Sequence, residues 1–326
     1  MYSTSLQGSK KGIWGLSRMA SRRHKRRNIK RKTLRVRNKN ISVLVGGDDK
    51  CIFVPLHDGL GNQLFVYAAA LVAKKKLKMP LCTLPASMSG HSDKNYRKLL
   101  FTNSMPVNSS DPVVKERMGK STTILTGING THGKWFNTNI VANTSKNVIL
   151  PSTYFQNYSA IKGIIDEMRE QILGKLEGLY PDMKGTIDSS TSAFMHVRRG
   201  DYDKSFGQAL PKEYYQNALN ELGKIGDLKK IYVLSNDLEW CKAQNFTVGE
   251  GKTIEWFDEP DEMKSLYLMS LCKRAAIISA STFSAWGAIF GAQTNASPLI
   301  IYPKSWFMAG NSSVLEFPSD KGWKSI

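Results

Sequence analysis

Three segments of this 326-residue chain concentrate side chains able to do chemistry. His196-Val197-Arg198-Arg199-Gly200-Asp201-Tyr202 sets two guanidinium forks beside a carboxylate, Ser235-Asn236-Asp237 ends on a second carboxylate, and Ala280-Ser281-Thr282-Phe283-Ser284 offers three hydroxyls. Paired arginines suit phosphate oxygens, and hydroxyls at a helix start, with its free backbone N–H groups, supply further anion donors. Asp237, an acceptor-only carboxylate, matches the N–H edge of a guanine base. A guanosine diphosphate group satisfies all three segments together. Taken singly they read otherwise: Arg198 and Arg199 as surface ion-pair partners, Asp237 as a helix N-cap, Ser281 or Thr282 as a cap for its own helix.

A fourth segment comes earlier. In Gly59-Leu60-Gly61-Asn62-Gln63 two glycines allow close backbone approach, and Asn62 and Gln63 lie at the mouth of the next helix. GxGN alone has low specificity, and it is not the dinucleotide GxGxxG pattern, because Leu64 stands where the third glycine belongs.

Elements that would position these groups follow from the apolar pattern. Residues 51–55 read as a short buried strand, and a helix is expected from Leu64 to about Lys76. Residues 87–145 are polar and lack a long periodic segment, so they read as loops with a few short elements. Helical spacing returns over 161–179 and stops at Pro181. Beyond it, strands are expected at 193–197, 230–234, 275–279 and 299–302. Helices are expected at 211–222, 237–244, 261–273 and 282–291. Such alternation indicates a doubly wound parallel sheet, in which ligands bind outside the carboxyl ends of the strands. The three chemistry-bearing segments all follow predicted strands.

These residues reach a family. The Gly59–Gln63 segment after a strand, His196–Tyr202, Ser235-Asn-Asp-Leu-Glu-Trp-Cys241, Leu266-Tyr-Leu-Met-Ser-Leu-Cys-Lys273, Phe283-Ser-Ala-Trp-Gly-Ala288 and Pro303-Lys-Ser-Trp-Phe307 resemble the alpha-1,2-fucosyltransferases over about residues 51–307. The resemblance implies an α/β protein of GT-B type, with two Rossmann-like domains and the donor site in the cleft. The chain then divides into a basic, disordered arm (1–48), an acceptor-side domain (49–190) and a GDP-fucose-binding domain (191–326). The implied activity is inverting transfer of L-fucose from GDP-β-L-fucose to a hydroxyl of a galactose-containing glycan, commonly O2 of the galactose. His196 and Asp237 become guanine or ribose-side contacts, Arg198 and Arg199 diphosphate clamps, Ser284 a phosphate donor, and Asn62 a contact near the transferred sugar; Ser281 and Thr282 join the expected donor-binding set through their hydroxyls. Two departures stand out: Ala285 sits where many relatives carry a second tryptophan, and the membrane anchor of animal members is missing.

Arg198 and Arg199 are the expected catalytic cations, because negative charge builds on the departing diphosphate. Asp201 is the first candidate for general base, ahead of Asp203, Asp58 and His57. Asp201-Tyr202-Asp203 also spells DxD, a metal-binding pattern in another transferase class. The adjoining arginines already neutralise a diphosphate, so no metal and no cofactor beyond the donor is expected.

Charge and composition bound the alternatives. Lys and Arg number 46 against 27 Asp and Glu, for a net charge of +19, and residues 1–50 alone carry 15 against two. The remaining chain has a modest excess, 31 against 25, so a polyanion or anionic-membrane partner concerns the arm. A nucleic-acid-binding protein led by that arm is the alternative of a different class. It predicts base-stacking residues beside the charge, where only Trp14 is found. Alpha-1,6- or protein O-linked transfer keeps the chemistry and changes the acceptor. Four cysteines far apart favour a reduced compartment. The longest apolar run, Leu64–Ala73, is too short to span a bilayer. A cytoplasmic or peripherally membrane-associated protein is therefore expected, with a Golgi lumen as alternative. Eight Asn-x-Ser/Thr sequons matter only in that second case.

Overall fold

Strand β1 (Ile52–Pro55) is wholly apolar, and its first three residues are buried. A strand of this kind has no solvated face and suits the middle of a parallel sheet. The computed structural model describes residues 50–85, 96–123, 146–200, 202, 209–292, 298–304, 317 and 322–326. The basic arm, Asp201 and Asp203 lie outside them. Residues 50–326 form one compact unit by their contacts.

The unit is built on two sheets. The first contains β1, β2 (Leu81–Leu84), β3 (Ser104–Pro106), β4 (Thr122–Thr123) and β5 (Val148–Ile149), in the order β3-β2-β1-β5-β4. The second contains β6 (Ser192–Val197), β7 (Lys230–Ser235), β8 (Thr253–Trp256), β9 (Ala275–Ile277), β10 (Leu299–Tyr302) and β11 (Trp323–Ser325), in the order β11-β10-β9-β6-β7-β8. Every described pairing is parallel. The second sheet therefore reverses its winding between β6 and β9; in the first the chain winds outward from β1 through β2 and β3, crosses to the opposite edge at β4 and returns to β5 beside β1. The crevices between β6 and β9 and between β1 and β5 are where an open α/β sheet receives ligands. The doubly wound expectation holds, in an α/β protein of GT-B type.

The helices are α1 (Leu60–Leu77), α2 (Tyr96–Leu99), α3 (Pro112–Gly119), α4 (Tyr158–Ile161), α5 (Ile165–Leu179), α6 (Met183–Thr186), α7 (Lys212–Gly223), α8 (Leu238–Ala243), α9 (Glu262–Leu271) and α10 (Thr282–Gly291). A single 3-10 turn, Lys162–Ile164, joins α4 to α5. Helix α1 starts four residues before the expected Leu64, so Gly61, Asn62 and Gln63 belong to its first turn. Thirteen of its 18 residues are buried, which explains why its sequence shows a continuous apolar run in place of a stripe. Lys74, Lys75 and Lys76 collect at its negative end.

Helix α10 is also buried on all sides, and it packs against α1. The rings of Phe65 and Trp286 lie 4.9 Å apart, and Trp286 also meets Phe290 at 5.1 Å. Gly287 lets α10 approach Met269 of α9. From α5, Arg169 donates to the carbonyls of Ile289, Phe290 and Ala292, closing the carboxyl end of α10 with a cation. One hydrophobic core thus takes residues from both sheets, including Ile52 and Val54 of β1, Phe194 of β6 and Ile300 of β10. Alternation along β6 sends Ala193, Met195 and Val197 to a second core under α7. His196 shares the Phe194 side, toward α10. All four cysteines are buried as free thiols. No helix among the described residues is long and apolar enough to cross a membrane.

Candidate active site

His196 is the penultimate residue of β6 and Ser279 follows β9, so the crevice between these strands brings them together. His196 Nδ1 lies 2.9 Å from Ser279 Oγ, and its ring packs edge-on against Phe283 at 5.7 Å. The imidazole is 5 % exposed. Burial, and then the positive charge of Arg198, push its pKa down to about 3. It is therefore a neutral hydrogen-bonding group throughout the working pH range.

The next residues turn away from the strand. Arg198 places its guanidinium 5.5 Å from the centre of the Tyr202 ring. Arg199 sets its guanidinium carbon 3.9 Å from the centre of the Trp240 ring of α8, a cation–π contact that helps to hold its fork in place. Its backbone is held by Asn236, whose Oδ1 accepts from Arg199 N at 2.8 Å and whose Nδ2 donates to Arg199 O at 2.9 Å. Gly200 follows with φ +68°, and a Cβ there would stand 2.9 Å from Asn236 Nδ2. Both reasons require glycine. The Asn236 clamp and the Trp240 platform were not among the expected site residues; the signal available was their place just beyond β7, the neighbour of β6.

Asp237 does what the simpler expectation held: its Oδ1 accepts from Trp240 N at 3.0 Å and caps α8. In doing so it also holds in place the helix that carries the Trp240 platform. Asp237 stands at the β7 end and α10 at the β9 end, with β6 between them, so the two sets flank the arginine loop from opposite sides.

At the start of α10 the hydroxyls divide. Thr282 Oγ1 donates to Asn62 Oδ1 at 3.0 Å, and Gln156 Nε2 donates to the same oxygen at 3.1 Å. The GxGN segment and this helix start are therefore in direct contact. Gly61 is what permits it: a Cβ there would lie 2.4 Å from Phe283 N and 2.7 Å from Thr282 Oγ1. Gly59, the other turn glycine, has nothing within 4 Å. Ser281 precedes the helix without capping it through its side chain. The Ser284 hydroxyl is fully buried and points to the carbonyls of Ser281 (3.1 Å) and Ser279 (3.4 Å), so what Ser284 can offer a ligand is its backbone N–H.

Two helix amino ends thus abut, those of α1 and α10. Each carries a positive partial charge of roughly half a unit, and juxtaposing them beside two arginines is electrostatically costly without an anion. The arrangement is one for holding a strongly anionic group.

The first sheet's crevice is lined differently. Beyond β1, His57 Nε2 meets the Thr153 carbonyl at 3.2 Å, and its Nδ1 stands 3.5 Å from Asp58 Oδ2. The Tyr154 ring packs edge-on against His57 at 4.8 Å, and its hydroxyl hydrogen-bonds the Asp58 carboxylate. Burial, that bond and the Asp58 charge push the Tyr154 phenol up to about 12. No group of three or more His, Cys, Asp or Glu suited to a metal occurs among the described residues.

The model of glycosyl transferase family 11 matches residues 54–316. The O-antigen biosynthesis glycosyltransferase WbnK of Escherichia coli is 26 % identical over 303 residues, covering 81 % of this chain and 97 % of that protein. An alpha-1,2-colitosyltransferase of Escherichia coli is 28 % identical over 133 residues, 39 % of this chain and 44 % of the relative. Among solved structures, POFUT1 in complex with GDP superposes with a TM-score of 0.50 at 12 % identity, over 78 % of this chain and 99 % of that one. That likeness concerns the fold alone.

Proposed function

Because the chain belongs to glycosyl transferase family 11, we propose that this glycosyltransferase is inverting and moves L-fucose from GDP-β-L-fucose to a hydroxyl of a glycan, O2 of a galactose by preference. The observation that carries this reading is the meeting of two helix amino ends, Gly61 against Thr282 and Phe283, beside the Arg198–Arg199 loop. A diphosphate matches that concentration of positive potential, and its charge grows as the sugar departs. Fixed donors aimed at growing charge are the main catalytic device in such a site, and losing one typically costs about 2.7–4 kcal/mol of barrier.

In this reading Arg198 and Arg199 clamp the diphosphate, joined by backbone N–H groups of Thr282 and Ser284; that of Ser281 is already donated to the Ser279 carbonyl at 2.7 Å. Neutral His196 serves the nucleoside side, and Asp237 offers the guanine edge the oxygen that does not cap α8. Asn62, its carbonyl oxygen occupied by Thr282 and Gln156, turns its amide N–H groups toward the transferred sugar. No metal step is needed.

The relative named for alpha-1,2 colitosyl transfer supports the linkage and favours one second reading, in which the donor sugar is colitose. Incubation with GDP-fucose, GDP-mannose and UDP-galactose, then with a panel of galactosides and a colitosyl donor, tests both. Turnover of GDP-fucose to an α-linked product, unchanged by excess EDTA, is the expected result. Absence of GDP-fucose turnover with every galactoside refutes the reading, and strict dependence on Mn or Mg refutes its metal-free form.

A further inference from the structure

The crevice between β1 and β5 holds a proton-accepting arrangement that the diphosphate site does not use. The Thr153 carbonyl can only accept a hydrogen bond, so His57 Nε2 donates to it, and Nδ1 stands 3.5 Å from Asp58 Oδ2. The space between this nitrogen and the carboxylate suits one shared proton. The Tyr154 hydroxyl, kept neutral, donates to the same carboxylate and orients it.

The backbone is bent to create this. Asp58 adopts φ +58°, a left-handed conformation that is strained for a non-glycine residue, although Asp and Asn bear it best. The Gln63 side chain, itself 2 % exposed, holds the Asp58 carbonyl at 2.7 Å. The His57 side chain is 7 % exposed and that of Asp58 22 %, so the carboxylate is the member of the pair open to a substrate. Three residues on, Gly61 touches the amino end of α10. The pair therefore lies at the mouth of the helix that faces the diphosphate site, on the side of the other sheet.

We propose that Asp58 is the catalytic base that takes the proton from the acceptor hydroxyl, with His57 sharing that proton and Tyr154 a positioning residue. The inference rests on the transfer reaction proposed above. The acceptor O–H bond breaks toward Asp58 and the freed oxygen forms a bond to the anomeric carbon. The bond from that carbon to the β-phosphate oxygen breaks with its electron pair, leaving GDP. Asp58 then returns its proton to water. Asp201, the first sequence candidate for this role, lies outside the described residues.

The test compares wild type, Asp58→Asn and Tyr154→Phe with GDP-fucose and the best galactoside of the panel. Asparagine keeps the shape and tolerates the left-handed backbone, so D58N folds. Its GDP-fucose Kd should stay within threefold of wild type while kcat falls about 10²–10⁴-fold. Azide, a nucleophile with no proton to lose, should restore transfer by D58N as fucosyl azide. Y154F should lower kcat about tenfold with little change in acceptor KM. D58N with wild-type kcat, or with no gain from azide, overturns the inference and leaves the transferase reading intact. A wild-type enzyme inert toward every donor overturns both.

Discussion

The Asn236 carboxamide holds both backbone groups of Arg199, accepting its N–H at 2.8 Å and donating to its carbonyl at 2.9 Å. A single side chain from just beyond β7 thus takes over where the β6–β7 ladder ends, at Val197 and Ser235, and the arginine loop keeps a defined direction after leaving the sheet. Asn236→Ala removes both bonds. Donor kcat/KM should fall about 10–100-fold, because each hydrogen bond holds the loop by roughly 1 kcal/mol and the guanidinium loses its aim. Asn236→Asp keeps the acceptor but sets a carboxylate oxygen against the Arg199 carbonyl, so it should be no better than alanine. Steady-state kinetics on folded variants decides. Asn236→Ala at wild-type kcat/KM would show that the loop holds itself.

Trp240 acts on the same arginine from the other side. Its ring lies 3.9 Å from the Arg199 guanidinium carbon, and a partly exposed cation–π contact of this kind is worth about 0.5–2 kcal/mol. Trp240→Leu should therefore reduce donor kcat/KM about 2–30-fold while α8 stays capped by Asp237. Arg199→Lys should lose more, since an ammonium keeps the charge but neither stacks nor offers a planar fork. If the lysine variant matches wild type, Arg199 contributes charge alone and the platform has no catalytic meaning.

Gly61 and Gly59 look equivalent in sequence and are opposite in structure. A methyl at Gly61 would meet the backbone of Thr282 and Phe283 at 2.4–2.6 Å, so α1 and α10 would have to separate. Gly61→Ala should destabilise the fold by about 1–3 kcal/mol, or roughly 2–4 °C of Tm per kcal/mol for a unit of this size. Transfer activity should fall with it. Gly59 has φ −68° and open space, so Gly59→Ala should change stability by less than about 1 kcal/mol. Calorimetry on the two variants checks the contrast, and equal Tm values would refute it.

What the sequence made legible follows from where the burial lies. Strands β6, β7 and β10 are mostly apolar and were expected nearly to the residue, as was α10. Strands β2, β5, β8 and β11 were not. β5 has two residues, β11 buries only Trp323, and β8 is an edge strand with Thr253 and Glu255 exposed, so pairing with a neighbour defines them more than composition does. The arginine loop and the helix start were legible because residue type alone marks them. The partners that orient them were not: Asn236, Trp240 and Gln156 act through contacts with residues distant in sequence, and an amide or an indole carries no local signature of that use. Tyr154 was hidden for a further reason, lying just beyond the polar stretch that precedes β5.

His196 makes the stability of the fold depend on pH in a defined direction. Its ordinary pKa of 6.5 is pushed down to about 3 by burial and by Arg198, so the folded protein resists protonation there while the unfolded chain does not. Between these values the unfolded state binds the extra proton, and stability rises with pH by up to about 1.4 kcal/mol per unit. The contribution is fully present above about pH 6.5 and is lost progressively as pH falls toward 3. Asparagine at 196 cannot titrate and places an amide near the position of Nδ1, within reach of Ser279. Denaturant unfolding of wild type and His196→Asn at pH 7, 6, 5 and 4 separates this group from the carboxylates that titrate in both proteins. The wild type should lose stability more steeply than the variant below pH 6.5. Parallel curves would mean that His196 accepts a proton in the folded state, and the neutral hydrogen-bonding role assigned to it beside Ser279 would have to be abandoned.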